Sequence, residues 1–234
     1  MSKHLQRELD IVQRELLALF AMVEETIDNA IRALNERRLD LAEQVLAGDD
    51  EIDRREVHIE EECLKILALH QPVAVDLRRV ATVIKINTDL ERIADLAQNI
   101  AERAQFLASR SAFPIPAKLG RMVNAATQMV RDALGSFINL DAETARRVCV
   151  QDDEVDQCNR EIIAELYRLM CGHPEMVEPA MHCFSATRHV ERIADHATNI
   201  AEDVIYLIEG EIVRHRHDGI HLPHGTSSNR RTQS

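Results

Sequence analysis

The chain has 234 residues, with 28 lysines and arginines against 40 aspartates and glutamates, for a net charge of −12. Seven glycines and six prolines are under half the usual ~12% share, too few for the frequent turns of a β-rich fold. The acidic balance, seven aromatics and no tryptophan leave neither a phosphate-tracking surface nor stacking platforms, which argues against nucleic-acid binding.

The longest apolar run, residues 16–23, falls far short of the ~18 residues of a membrane span, so no direct membrane insertion is expected. The opening MSKHLQRELD lacks the apolar stretch of a secretory signal. Cys63, Cys149, Cys158, Cys171 and Cys183 form no CxxC and read as reduced thiols, so a cytoplasmic protein is expected.

Periodicity and its breaks predict six long helices. The first spans residues 4–37 and the second 40–70, joined tightly around RRLD; Gln71-Pro72 ends the second, because proline cannot donate the helical bond. The third spans 75–109. After it comes FPIP, residues 113–116, the clearest linker in the chain. The fourth, fifth and sixth span 118–139, 141–170 and 174–213, with Asp141 as an N-cap and Gly172 and Pro174 as a stop and a start. Beyond them the apolar period fades and Gly, Ser and Arg accumulate, so residues 214–234 read as a disordered tail. Its His215, His217, His221 and His224 have no packed frame to hold a metal.

The chain repeats itself. ERIADLAQNIAE at 91–102 returns as ERIADHATNIAE at 191–202, identical at ten of twelve positions. Upstream, GDDEID at 48–53 returns as QDDEVD at 151–156, in the same order and at nearly the same separation. The fold expected is therefore all-α: two tandem three-helix bundles related by internal duplication, the first over 1–112 and the second over 113–213.

In the third helix Ile86, Leu90, Ile93, Ala97, Ile100, Ala104 and Leu107 alternate four and three apart, and the sixth repeats this with Ala186, Val190, Ile193, Ala197, Ile200, Val204 and Leu207. That spacing is a core seam. On the same wheel Glu91, Asp95, Asn99 and Glu102, repeated as Glu191, Asp195, Asn199 and Glu202, fall away from the seam and are expected to face outward. Core packing does not dictate these identities, yet both copies keep them.

Carboxylates four apart share one helix face. Asp49 with Asp53 and Glu91 with Asp95 give two such pairs on consecutive antiparallel helices; Asp152 with Asp156 and Glu191 with Asp195 repeat them. Facing pairs would offer an all-oxygen set, with Asn99 or Asn199 as a neutral ligand and Glu102 or Glu202 beside it. Such a set suits magnesium, calcium, manganese or iron and does not suit zinc. His196, in place of Leu96, could add a nitrogen to the second set. A second reading needs no metal: Arg92, Arg192, Arg78, Arg79 and Arg188 could pair with the acids in a lattice between helices. There is no P-loop, GxGxxG or GxSxG, and no histidine follows a glutamate by three as a ferritin-like di-iron centre requires. The methionines read as core or seam filler.

The two ERIAD-(L/H)-A-x-N-I-A-E blocks, each preceded by DDE-(I/V)-D, resemble the signature of the PhoU family of phosphate-transport regulators. IYLIEG at 205–210 is similar to that family's C-terminal edge, and the resemblance covers nearly the whole chain up to about Glu209. It implies a cytoplasmic, often homodimeric, non-enzymatic negative regulator of the phosphate-starvation response. Its partners would be the ATPase subunit of the phosphate ABC transporter and the sensor kinase PhoR, with the regulator PhoB kept unphosphorylated when phosphate is plentiful. Some members carry iron or other divalent metals on motifs that map here onto Asp49, Asp53, Glu91 and Asp95, and onto Asp152, Asp156, Glu191 and Asp195. The family usually has glycine where this chain has Ala94 and Ala194, also small residues. Two other classes fit the residues: a coiled-coil adaptor, and a divalent-metal-binding helical protein for metal or phosphate homeostasis without direct signalling.

Overall fold

A computed structural model describes residues 3–110 and 113–210. The described chain is helical throughout: α1 (Lys3–Glu36), α2 (Leu39–Ala47), α3 (Asp49–His70), α4 (Ala74–Ala108), α5 (Ala117–Asn139), α6 (Ala142–Gly172) and α7 (Val177–Glu209), with a 3₁₀ turn at Pro174–Met176 before α7. The expected tail and its four histidines lie outside the described residues. So does the end of the sixth predicted helix beyond Gly210.

One predicted helix is two. The segment 40–70 breaks at Gly48, whose N–H turns back to the Val45 carbonyl at 3.2 Å. Its counterpart Gln151 continues α6 without interruption. The cause is local. Glycine is a weak helix former, and the Asp49-Asp50-Glu51 that follows suits the positive end of a new helix.

α1, α2, α3 and α4 pack together, as do α5, α6 and α7, and the repeat-equivalent α4 and α7 pack extensively on each other. One contiguous apolar cluster runs through both halves, and every residue of the two predicted seams is buried in it. α4 and α7 run antiparallel. Lys85 meets Asp203 at 3.0 Å, Asp89 meets His196 Nδ1 at 2.8 Å, and Phe106 stacks on His182 with ring centroids 3.6 Å apart. Ala94 and Ala194, both buried, fall near the middle of this register, where a small side chain lets two backbones come close. Met122 and Met129 fill the core as expected, whereas Met181 is exposed.

The tight turns after α1 and α5 also match. Arg37 (φ 57°) and Leu140 (φ 51°) occupy equivalent positions, and both take the left-handed conformation that closes a helix. Arg37 adds a latch. Its guanidinium donates to the carbonyls of Leu107 (2.7 Å), Arg110 (3.0 Å) and Phe113 (2.6 Å). It thereby caps α4 and pins the linker. FPIP is non-helical as expected, but it is not a solvated spacer, because Phe113 is only 2% exposed and packs in the core.

Candidate functional site

The acid pairs meet in the grooves between α3 and α4 and between α6 and α7. In the first groove, burial raises the pKa of Asp53, and the charges of Asp49, Asp95 and Asp50 raise it further. Glu91 is raised by burial and then by Asp95, with Arg92 partly offsetting. In the second, burial and then Asp195, Asp156, Asp153 and Glu191 push Asp152 up to about 6. Burial and Asp156 raise Asp195, while His196, Arg188 and Arg192 pull it down. Glu191 is raised chiefly by burial. Mutual influence of this kind requires the four acids of each repeat to share one site, as the spacing implied.

The stripe does not face outward as expected. The Glu91 and Glu191 side chains are only 22% and 14% exposed. α4 has α1, α2, α3 and α7 as neighbours, so a wheel drawn around a single seam misassigns the face that α3 covers.

The arginine lattice exists only in part. Arg92 reaches Glu91 at 3.4 Å and Asp95 at 3.3 Å; Arg188 reaches Glu191 at 2.6 Å; Arg160 reaches Asp156 at 3.5 Å. Arg78 instead caps the Leu207 carbonyl, and Arg79 bonds Gln13, so neither serves the acids. Gln98 donates to Asp49.

The additional candidates separate from the cluster. Asn99 donates to the Asp95 carbonyl of its own helix at 2.7 Å, and Glu102 pairs with Arg103 at 2.7 Å. His196 uses Nδ1 on Asp89 across the α4–α7 interface. Glu202 lies near Cys149, whose thiol burial pushes up to about 12, with Glu202 and Asp152 adding to the rise. Cys63 and Cys183 are likewise pushed up to about 12 by burial, so these thiols have no thiolate character.

Three participants went unnoticed in the sequence. Glu56, raised by burial, Glu60 and Asp53, belongs to the first cluster. Asn87 donates to the Glu56 carbonyl at 2.8 Å and to its carboxylate at 3.2 Å. In the second repeat Asn159 donates to Glu191 at 3.1 Å. Glu56 and Asn159 are repeat counterparts that differ in identity, so a search for identical positions passes over both. Asn87 and Asn159 are buried, and each leaves its Oδ1 without a hydrogen-bond partner in the structure. Unsatisfied acceptors beside mutually repelling carboxylates have the chemistry of a hard-cation ligand set. Among the described residues, no three His, Cys, Asp or Glu side chains converge tightly enough to hold an ion as placed.

Comparison with known proteins places this geometry in context. The PhoU domain matches the chain twice, over residues 16–104 and 119–204, one match per repeat and each spanning that repeat's acids. The chain belongs to the PhoU family. A PhoU homolog of Aquifex aeolicus, a phosphate-specific transport system accessory protein, is 43% identical over 211 residues, covering 90% of this chain and 96% of that protein. The homolog of Pseudomonas aeruginosa is 39% identical over 216 residues, covering 92% and 89%. A crystal structure of PhoU from Pseudomonas aeruginosa superimposes with a TM-score of 0.84 at 37% identity, covering 88% of this chain and 99% of that one. The two-bundle, all-α architecture is therefore that of the PhoU family. No described helix is long and apolar enough to cross a membrane.

Proposed function

We propose that this chain is a cytoplasmic regulatory accessory protein of a phosphate-specific transport system and that it represses the phosphate-starvation response when phosphate is plentiful. The observation that carries the reading is family membership across both repeats, with relatives named for that transport system. On this reading the protein catalyses no reaction. It contacts the ATPase subunit of the phosphate ABC transporter and the sensor kinase PhoR, so that PhoB stays unphosphorylated, and it works as a homodimer.

The acidic grooves are the switching element of this reading. A regulator needs a partner-binding surface whose affinity differs between two states. Asp49, Asp53, Glu91 and Asp95, with Asp152, Asp156, Glu191 and Asp195, would hold a divalent cation, to which Asn87 and Asn159 offer neutral oxygens. A bound cation supplies positive charge that inverts the local field. The chain's own groups set the resting state. Arg92, Arg188 and Arg160 neutralise part of each cluster, and the rest of the repulsion is stored in the raised carboxylates.

The test is a phosphate-starvation reporter read in phosphate-rich medium with the gene deleted and then restored. Deletion should switch the reporter on and restoration should silence it. A reporter that stays silent on deletion overturns the regulatory reading and favours divalent-metal binding without signalling.

A further inference from the structure

The approximate two-fold relation between the repeats leaves one corner unfilled. In the first repeat the chain leaves α4, turns back at Arg110, and buries Phe113 over the α1–α2 turn, where Arg37 holds the carbonyls of both Leu107 and Phe113. In the second repeat the equivalent corner is a cavity of about 370 Å³ whose lining includes Phe137, Ile138, Leu140, Leu207 and Ile208. Phe137, Leu140 and Leu207 are the counterparts of Leu34, Arg37 and Leu107. Ile138 and Leu140 are exposed.

The equivalence of the two corners persists to the last described residue. Arg110 pairs with Glu178 at 3.7 Å at the end of α4, and at the end of α7 Gly210 lies against Arg78, the counterpart of Glu178. A Cβ added at Gly210 would sit 3.5 Å from the Arg78 guanidinium. Gly210 is left-handed, with φ 75°, the conformation that turns a chain back over the helix it has left. Three residues further on, Val213 is the counterpart of Phe113, preceded by Ile212.

We propose that the segment following Gly210 seats Ile212 and Val213 in this cavity, closing the second repeat as Phe113 closes the first. The chemistry of the two corners is matched to their occupants. Arg37 holds its segment by three hydrogen bonds to backbone carbonyls, whereas Leu140 and Ile138 have no such donors and hold an aliphatic pair by apolar burial. The chain leaves the described structure beside the cavity, since Leu207 and Ile208 line it and Gly210 follows two residues later. An occupant from the same chain is therefore present at high effective concentration.

Hydrogen exchange of the full-length protein tests this at the backbone amides of residues 136–142. I212D/V213D should speed their exchange by roughly threefold to tenfold relative to the unaltered chain, because local opening exposes the turn. I220D/L222D, at the other apolar stretch of the tail, should leave it unchanged. The far-ultraviolet helical signal of each variant confirms that the bundle is intact. Unchanged exchange in I212D/V213D overturns the proposal, as does an equal effect of I220D/L222D. Protection that grows with protein concentration would assign the cavity to a second copy and overturn it as well.

Discussion

In the first repeat the DDE triplet opens a helix: Asp49, Asp50 and Glu51 stand in the first turn of α3, beside the free N–H groups of its amino terminus. In the second repeat the equivalent Asp152, Asp153 and Glu154 lie in the middle of an unbroken α6, where every backbone N–H is already bonded within the helix. The favourable end of a helix dipole is absent there, and burial with three neighbouring aspartates and Glu191 pushes Asp152 up to about 6. One substitution at the break, Gly48 against Gln151, thus gives the same acids two different electrostatic settings. Duplication has kept the ligating residues while letting the second cluster carry more strain.

The largest expected difference lies in the seams. Leu90→Ala should lower the unfolding free energy by about 2–5 kcal/mol, because Leu90 is fully buried and its cavity cannot collapse between packed helices. Val190→Ala removes fewer carbons from the equivalent position and should cost less. Chemical denaturation of both variants checks this, and equal losses would mean that the seams are not equivalent.

Next come the corners. Arg37→Ala removes three hydrogen bonds from a charged donor and should cost about 1.5–3 kcal/mol. Leu140→Ala, at an exposed position, should cost less, and the same denaturation series separates the two.

The acids follow. Asp152 has a native pKa raised from 3.8 to about 6, so the charged form is disfavoured in the fold. Its contribution to stability is fully present below pH 3.8 and is lost as the pH rises through about 6. Asp152→Asn should therefore stabilise the protein at pH 7–8 by about 1 kcal/mol once solvent screening of a half-buried group is allowed for, and should have no effect below pH 4. Thermal unfolding at the two pH values reads this directly. A gain of the same size at both would assign the effect to packing.

The smallest difference is at the helix starts. Asp141 accepts from the N–H groups of Glu143 (3.0 Å) and Thr144 (3.1 Å), whereas Arg38 at the start of α2 makes no side-chain cap. Asp141→Ala should cost about 1 kcal/mol. Arg38→Ala should stay within about 0.5 kcal/mol of the unaltered protein.

Much of this was legible in the sequence. The seams, the two turns, the Asp141 cap and the duplication itself follow from helical periodicity and short-range signals. The features that escaped are tertiary. The outward stripe is a groove because α4 has several neighbours, and one heptad wheel describes only one of them. Phe113 reads as linker because nothing local shows the corner it fills. His196 reads as a companion of the acids because its partner Asp89 lies 107 residues away, on the opposite repeat. Gly48 was passed over because a single glycine is often tolerated inside a helix.

The most direct test of the account is the phosphate-starvation reporter in phosphate-rich medium, in a strain whose only copy of this gene carries D53N/D95N/D156N/D195N at normal protein levels. These changes keep the size of the four side chains and remove their charge from both grooves. The account predicts a reporter switched on, as in the deletion. A reporter that stays silent would contradict the claim that the paired acidic grooves carry the regulation.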